Sequence, residues 1–165
     1  PFWAYTYVRI KPKEGGVDIP FKLNRPQLKL IGLYESQRVA NKPIRTILLK
    51  ARQWGGSTAT QVYFAWLQLI HSTGLNSLIV SQVKDTSVEI LDMFNRLLLN
   101  YPLWMLYPIG TNCPNKSPAF AGVLGAQNIH RIEERNCKIK IGSAEKPDSA
   151  RGGDYQLVHC SETAL

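Results

Sequence analysis

The sequence predicts an α/β chain, a parallel sheet flanked by helices, on two observations. Short apolar runs alternate with stretches whose apolar residues recur at helical spacing, and a glycine-rich turn joins the first such pair. With 165 residues the chain has the length of one domain. Hydrophobic residues make up 44% and charged residues 19%, which disfavours disorder, collagen and simple repeats. No apolar run reaches the roughly 18 residues of a membrane span, so a soluble globular chain is expected.

The first predicted strand is Ile44 to Lys50, a mostly apolar run. A loop follows, Ala51-Arg52-Gln53-Trp54-Gly55-Gly56, and leads into Ser57-Thr58. Val62, Trp66, Leu69 and Ile70 then recur at helical spacing until Gly74, which gives strand, glycine loop and helix. Leu75 to Ser81 predicts a second buried strand and Asp85 to Asn100 a second helix, with Ile90, Leu91, Phe94, Leu97 and Leu98 on one face. Such alternation calls for a parallel sheet, because each helix carries the chain back to start the next strand. Tyr101 to Gly125, rich in Pro, Gly and Asn, reads as an irregular excursion. Asn128 to Glu133 and Lys138 to Ile141 flank a turn and predict a hairpin, and Tyr155 to Cys160 predicts a third buried strand ending at Ser161-Glu162. Ahead of all this, residues 1–30 read as an extended or hairpin lead-in, closed by a short helix from Pro26, because proline suits a first helical turn. The chain begins Pro1-Phe2-Trp3 without an initiator Met, as a fragment or processed product would.

Charge divides the chain unevenly. Up to residue 52 there are eleven Lys and Arg against three Asp and Glu, so the whole net charge of +8 lies there and the remainder is neutral. A basic segment on a neutral body points to a polyanion, nucleic acid or nucleotide phosphates, although a solvated face that keeps the protein soluble accounts for the charge equally well. Cys113, Cys137 and Cys160 are odd in number and contain no C-x-x-C, so neither a disulfide framework nor a zinc knuckle is indicated and a reducing, cytoplasmic setting fits. His71, His130 and His159 lie far apart with no ligand spacing, and His159 reads as a core residue.

A glycine loop between a strand and a helix is a place for phosphates, because unpaired backbone N–H groups and the helix dipole point into it. Against the usual form G-x-x-x-x-G-K-[ST], Lys50 stands at the first glycine and Gly56 at the lysine. An ordinary strand-to-helix turn is the rival reading. Arg52, inside the loop, can supply the missing cation, and Ser57 falls where a hydroxyl ligand of Mg²⁺ belongs, with Thr58 beside it. At the far end, the run Leu157-Val158-His159-Cys160 enters Ser161-Glu162, where P-loop ATPases put a metal-binding Asp and a water-activating Glu. Here Ser161 replaces the Asp, and a surface Glu after a strand is the alternative for Glu162. The two sites together make the expected fold P-loop NTPase-like.

The succession Pro26-Gln27, Leu48-Leu49-Lys50-Ala51-Arg52-Gln53-Trp54-Gly55-Gly56-Ser57-Thr58, Leu78-Ile79-Val80-Ser81-Gln82, Ser149-Ala150-Arg151-Gly152-Gly153 and Ser161-Glu162-Thr163-Ala164 resembles the large terminase subunit of tailed bacteriophages over nearly the whole chain. That family has a deviant phosphate loop with an early basic residue. The resemblance implies a basic lead-in over 1–43 carrying an adenine-reading glutamine, Gln27, and an ATPase core over 44–165. It implies ATP contacts from Gln27, Arg52, Gln53, Trp54, Gly55, Gly56, Ser57 and Thr58. Mg²⁺ contacts would come from Ser57 and Ser161, the catalytic carboxylate from Glu162, and an arginine offered to a neighbouring subunit from Arg151, which is otherwise a solvated loop residue.

The implied activity is ATP hydrolysis coupled to driving double-stranded DNA into a capsid. The implied partners are DNA, the portal protein, the small terminase subunit and further copies in a ring, without a membrane, in the host cytoplasm on the procapsid. With the sequence ending three residues after Glu162, the family's C-terminal nuclease domain is not expected within this chain, and the core is expected to be incomplete at that end. Two rivals share the same residues: a helicase-like nucleic-acid translocase, and a catalytically silent nucleic-acid-binding module in which Gly56 and Ser161 mark a decayed site.

Overall fold

The computed structural model describes residues 1–12, 14–49, 54–99, 101–106, 129–146, 148 and 152–161. Its centre is a four-stranded sheet in the order β4-β5-β3-β6, with β3 at Asn76–Ser81, β4 at Ile129–Ile132, β5 at Cys137–Ser143 and β6 at Leu157–Ser161. β3 pairs in parallel with β5 on one side and with β6 on the other, whereas β4 closes antiparallel on β5. The β4–β5 pair is the hairpin the sequence predicts. Its turn passes through Glu133–Arg135 and through Asn136 at φ 49°, a left-handed position that asparagine tolerates well.

Helix α3 (Gly56–Trp66), which runs on through one wider turn at Leu67–His71, and helix α4 (Lys84–Leu99) close the core over this sheet. Phe94, Ile90, Leu91 and Leu97 of α4, the predicted apolar face, meet Ile79, Ile139 and Ile141 of the sheet and Val62, Ala65 and Leu69 of α3. Phe94, Ile79 and Ile139 are wholly enclosed. Among the described residues no helix is long and apolar enough to cross a membrane.

The lead-in, expected to be extended or a hairpin, holds a small hairpin, but a helix precedes it. Phe2–Tyr7 is a short helix, α1, followed by the two-residue antiparallel strands β1 (Arg9–Ile10) and β2 (Ile19–Pro20). Its aromatic and β-branched residues have weak helical propensity, so the signal is tertiary: Trp3 and Tyr7 set their rings 5.9 and 6.2 Å from that of Tyr101. Asp18 pairs with Arg96 of α4 at 2.9 Å and fixes the small hairpin to the core. Helix α2, Arg25–Val39, starts with Pro26 in its first turn as predicted but runs for 15 residues rather than being short.

The first predicted strand is the main correction. Over its described part, 44–49, no ladder partner is found, and Ile47 and Leu49 are 99% and 93% exposed. Both sides of β3 are taken, by β5 and β6, and β4 occupies the remaining side of β5; the outer sides of β6 and β4 carry no partner among the described residues, and the run pairs with neither. An apolar run states a tendency to be buried but not which edge will receive it. The third predicted strand is likewise an edge rather than a buried strand among the described residues, with Val158 and Cys160 exposed. Its His159 is half-buried instead of being a core residue. Of the predicted excursion, only 101–106 is described, with a short helical turn at Leu103–Met105; 107–125 lies outside the described residues.

α2 and α3 are joined by a polar cluster over an aromatic seam. Arg38 grips Glu35 through two hydrogen bonds of 2.8 Å, Tyr63 of α3 donates to Glu35 at 2.7 Å, and the Arg38 guanidinium lies 5.5 Å from the ring of Trp66. Hydrogen bonding from Arg38 is the main reason the Glu35 carboxyl is held down to about 2, from an ordinary 4.5, against the opposing effect of burial. A carboxyl whose folded value is depressed stabilises the fold above its unfolded value, and that stabilisation is lost as pH falls toward the folded one. Urea unfolding at pH 6 and pH 3 should therefore show a larger acid loss in the wild type than in Glu35→Gln. The side chain is one-third exposed, so the difference should be no more than about 1 kcal/mol; equal losses would remove Glu35 from the acid response.

Candidate functional site

α3 lies antiparallel to the parallel strands, and three contacts along its length show this. Gln68, beyond its C-terminal end, donates to the Leu75 carbonyl at 2.9 Å and lies 3.4 Å from Ser77 Oγ, both at the start of β3. About one turn earlier, Phe64 sets its ring edge-on to His159 in the middle of β6, which is in register with Ile79 of β3. Gln61 Nε2 approaches His159 Nδ1 at 2.7 Å. The helix N-terminus is thereby directed to the carboxyl ends of β3 and β6, the edge of a parallel sheet where ligands bind.

That edge carries three serines side by side. Ser81 stands in register with Ser143 on one side and Ser161 on the other, and all three are buried. Ser81 and Ser143 are engaged locally: Ser81 Oγ lies 2.6 Å from Ser87 Oγ, Ser87 donates to the Gly142 carbonyl at 2.7 Å, and Ser143 donates to the Gln82 carbonyl at 3.2 Å. The Ser161 hydroxyl has no hydrogen-bond partner among the described residues. Glu162, predicted to follow it as the catalytic carboxylate, lies outside them, as do Arg151, Arg52 and Gln53.

The loop that opens α3 is built around two glycines. Gly55 is the N-cap at φ 81°, in the left-handed region, and an added Cβ would lie 2.5 Å from Gln27 Nε2. At Gly56 the obstacle is Trp54, whose ring carbon would stand 2.6 Å from a Cβ. Both glycines are thus required by close approach, and Gly55 by its backbone angle as well. Gly55 O accepts the first helical hydrogen bond, from Ala59 N, at 3.0 Å, while the N–H groups of the first turn have no intrahelical partner. Ser57, in the first turn, is half-buried. Thr58 turns its hydroxyl to the sulfur of Met93 on α4, 3.2 Å away, and not into the loop.

Gln27 is 4% exposed and sits against this loop. Its Oε1 accepts from Asn24 N at 2.9 Å, and its Nε2 donates to the carbonyls of Gly55 at 3.0 Å and Trp54 at 3.4 Å. Asn24 returns a side-chain bond to Gln27 N at 2.9 Å and reaches the Trp54 carbonyl at 3.2 Å. Asn24 and Gln27 form a capping box on α2, a pattern readable from N-x-x-Q before a helical run. The contact with residues 54 and 55 has no such local signal, nor does the Gln61–His159 bond, since their partners lie 27, 28 and 98 positions away.

The structure therefore gathers Gln27, Trp54, Gly55, Gly56 and Ser57 at one loop, aims that loop toward the strand ends that include Ser161, and turns Thr58 aside. Most of the basic side chains of positions 22–45 are open to solvent. Lys22, Arg25, Lys29, Lys42 and Arg45 are exposed, whereas Arg38 is engaged by Glu35. In comparisons with known proteins, no family model matches the chain and no curated protein does.

Gly55→Ala should destabilise the fold by about 1–2 kcal/mol from the left-handed backbone alone, and by more if the Gln27 amide cannot withdraw. Urea unfolding measures it. An alanine tolerated without loss would mean that neither the backbone angle nor the Gln27 contact is needed here.

Proposed function

We propose that this chain is the ATP-hydrolysing part of a DNA-packaging motor of the terminase type, with a P-loop NTPase-like site at the head of α3. The observation that carries the reading is the direction of the glycine loop: a helix N-terminus, entered through a left-handed glycine, aimed at the carboxyl ends of parallel strands. The exposed basic residues of the first 45 positions support a polyanionic partner, and the terminase-like order of motifs in the sequence supports double-stranded DNA.

The residues at hand fit a nucleotide's phosphates. The N–H groups of the first turn of α3, which have no intrahelical partner, and the helix dipole favour anions, and neither glycine adds a side chain of its own to the loop. Ser57 and Ser161 fit Mg²⁺ as hydroxyl ligands, neutral and weaker than carboxylates, which leaves the cation more dependent on the phosphate oxygens. Bound Mg-ATP supplies the electrophilic phosphorus and partly neutralised oxygens. In this reading Arg52 adds the missing positive charge to the loop, Ser57 and Ser161 hold the metal side of the site, and Glu162 takes a proton from, and orients, the attacking water. Arg151 serves a neighbouring copy in the ring. The ring, portal protein and small subunit belong to the same proposal.

Titration calorimetry with Mg-ATP tests the site. The wild type should bind, and Arg52→Ala should bind about 10–100-fold more weakly, the range expected for a lost charge-assisted hydrogen bond. Glu162→Gln should keep affinity and lose turnover. Absence of ATP binding would favour the silent nucleic-acid-binding module. DNA affinity should fall steeply with salt, roughly in proportion to the phosphates neutralised; affinity indifferent to salt would return the basic segment to a solubility role.

A further inference from the structure

We infer that Gln27 is a positioning residue which sets the phosphate loop, and that it does not read the base, so the site selects a triphosphate with no base preference contributed by this glutamine. The inference rests on the nucleotide reading above and refines it.

A primary amide has two N–H donors and one carbonyl oxygen. Both donors of Gln27 are engaged, by the carbonyls of Gly55 at 3.0 Å and Trp54 at 3.4 Å, and its oxygen accepts from Asn24 N at 2.9 Å. The amide orientation is dictated by these partners, because a flip would set Oε1 against two carbonyl oxygens and Nε2 against an N–H. Reading a purine edge asks for an acceptor and a donor together, as a bidentate amide–adenine pair uses. No donor is left for it, and the side chain is 4% exposed. Engaging a base would mean releasing both loop carbonyls and the α2 cap at once.

Those bonds have a mechanical effect instead. The Gly55 carbonyl is shared between the Gln27 amide and Ala59 N, the first hydrogen bond of α3. The same Gln27 side chain completes the N-terminal cap of α2. One amide therefore ties the heads of two helices together and holds Gly55 in its left-handed conformation, with the carbonyls of residues 54 and 55 turned toward Gln27. A peptide whose carbonyl faces one way presents the following N–H the other way, so fixing the Trp54 and Gly55 carbonyls fixes the N–H groups of Gly55 and Gly56 that face a phosphate.

Two variants test this. Gln27→Ala removes every contact. Gln27→Glu keeps an oxygen for Asn24 N but sets a second one against the loop carbonyls, which spares the α2 cap and breaks the loop contact. Hydrogen exchange reads the loop without any ligand: in Gln27→Glu the amides of residues 54–58 should exchange about tenfold faster, as loss of two hydrogen bonds implies, while those in the middle of α4 keep their wild-type rates. Unchanged loop exchange, or acceleration spread equally through α4, overturns the positioning role.

Calorimetry with ATP, GTP and inorganic tripolyphosphate reads the consequence. Both variants should lose affinity for all three by the same factor, about tenfold. A loss confined to ATP, with GTP and tripolyphosphate unaffected, overturns the inference in favour of base reading. Wild-type protein that binds none of the three overturns the nucleotide reading and the triphosphate selectivity with it, and the exchange experiment still decides whether Gln27 sets the loop.

Discussion

Strand β3 is the constraint on which the rest of the molecule depends. It is hydrogen-bonded along its length on both sides, in parallel with β5 and β6, and Ile79 at its centre is sealed from solvent. Parallel pairing aligns the three strands by their carboxyl ends, which is why Ser81, Ser143 and Ser161 share a row. It also requires long return connections, and α4 is one of them, laid over β3 and β5 with Phe94 in the middle. With α4 in place, α3 packs beside it and has its direction set by contacts at both ends, through Gln68 near the start of β3 and Gln61 on β6.

Position at the candidate site is therefore inherited from packing, and local chemistry adds the detail. The glycines answer to two specific neighbours, Gln27 at Gly55 and the Trp54 ring at Gly56. Gln27 in turn is brought there by α2, which Leu30 and Tyr34 dock against Ala59, Tyr63, Phe64 and Leu67 of α3 and its continuation. Tyr34 and Tyr63 stand 5.2 Å apart in that seam, and burial pushes the pKa of both phenols up, which keeps them neutral hydrogen-bonding groups at ordinary pH. A loop suited to anions is thus held from one side by the helix it opens and from the other by the helix before it.

Burial of polar side chains follows the same logic. Gln27, Gln61 and Gln68 lie at 4%, 2% and 0% exposure, depths at which an unpaired amide group is costly; the Nε2 of each has a partner, while Gln68 Oε1 is buried without one. Each is directed to a different element, the loop, β6 and the start of β3, so the three amides fix α2 and α3 in rotation and in height where apolar contacts alone would let them slide. Cys137 is buried beside Gln68, and desolvation pushes the pKa of its thiol up, so it stays a neutral packing group.

By itself the sequence determined the features whose causes are local. Those were the helical spacing of α3 and α4, the start of α2 at Pro26, the β4–β5 hairpin, and the glycine loop between an apolar run and a helix. Parallel pairing was also legible, because alternation of strands and helices leaves few other ways to connect them. What only the tertiary structure decided was choice of partner. The apolar run at 44–49 reads as a buried strand, yet it pairs with no described strand and Ile47 and Leu49 stand exposed. Phe2–Tyr7 has weak helical character and is a helix because Trp3 and Tyr7 find Tyr101, about a hundred residues away along the chain. The capping box at Asn24-Gln27 could be read in the sequence, but that its amide also holds the carbonyls of Trp54 and Gly55 could not. Periodicity and turn chemistry act over a few residues and are written in their order; which surfaces and edges meet depends on the competition among all of them, and that is settled only when the chain closes on itself.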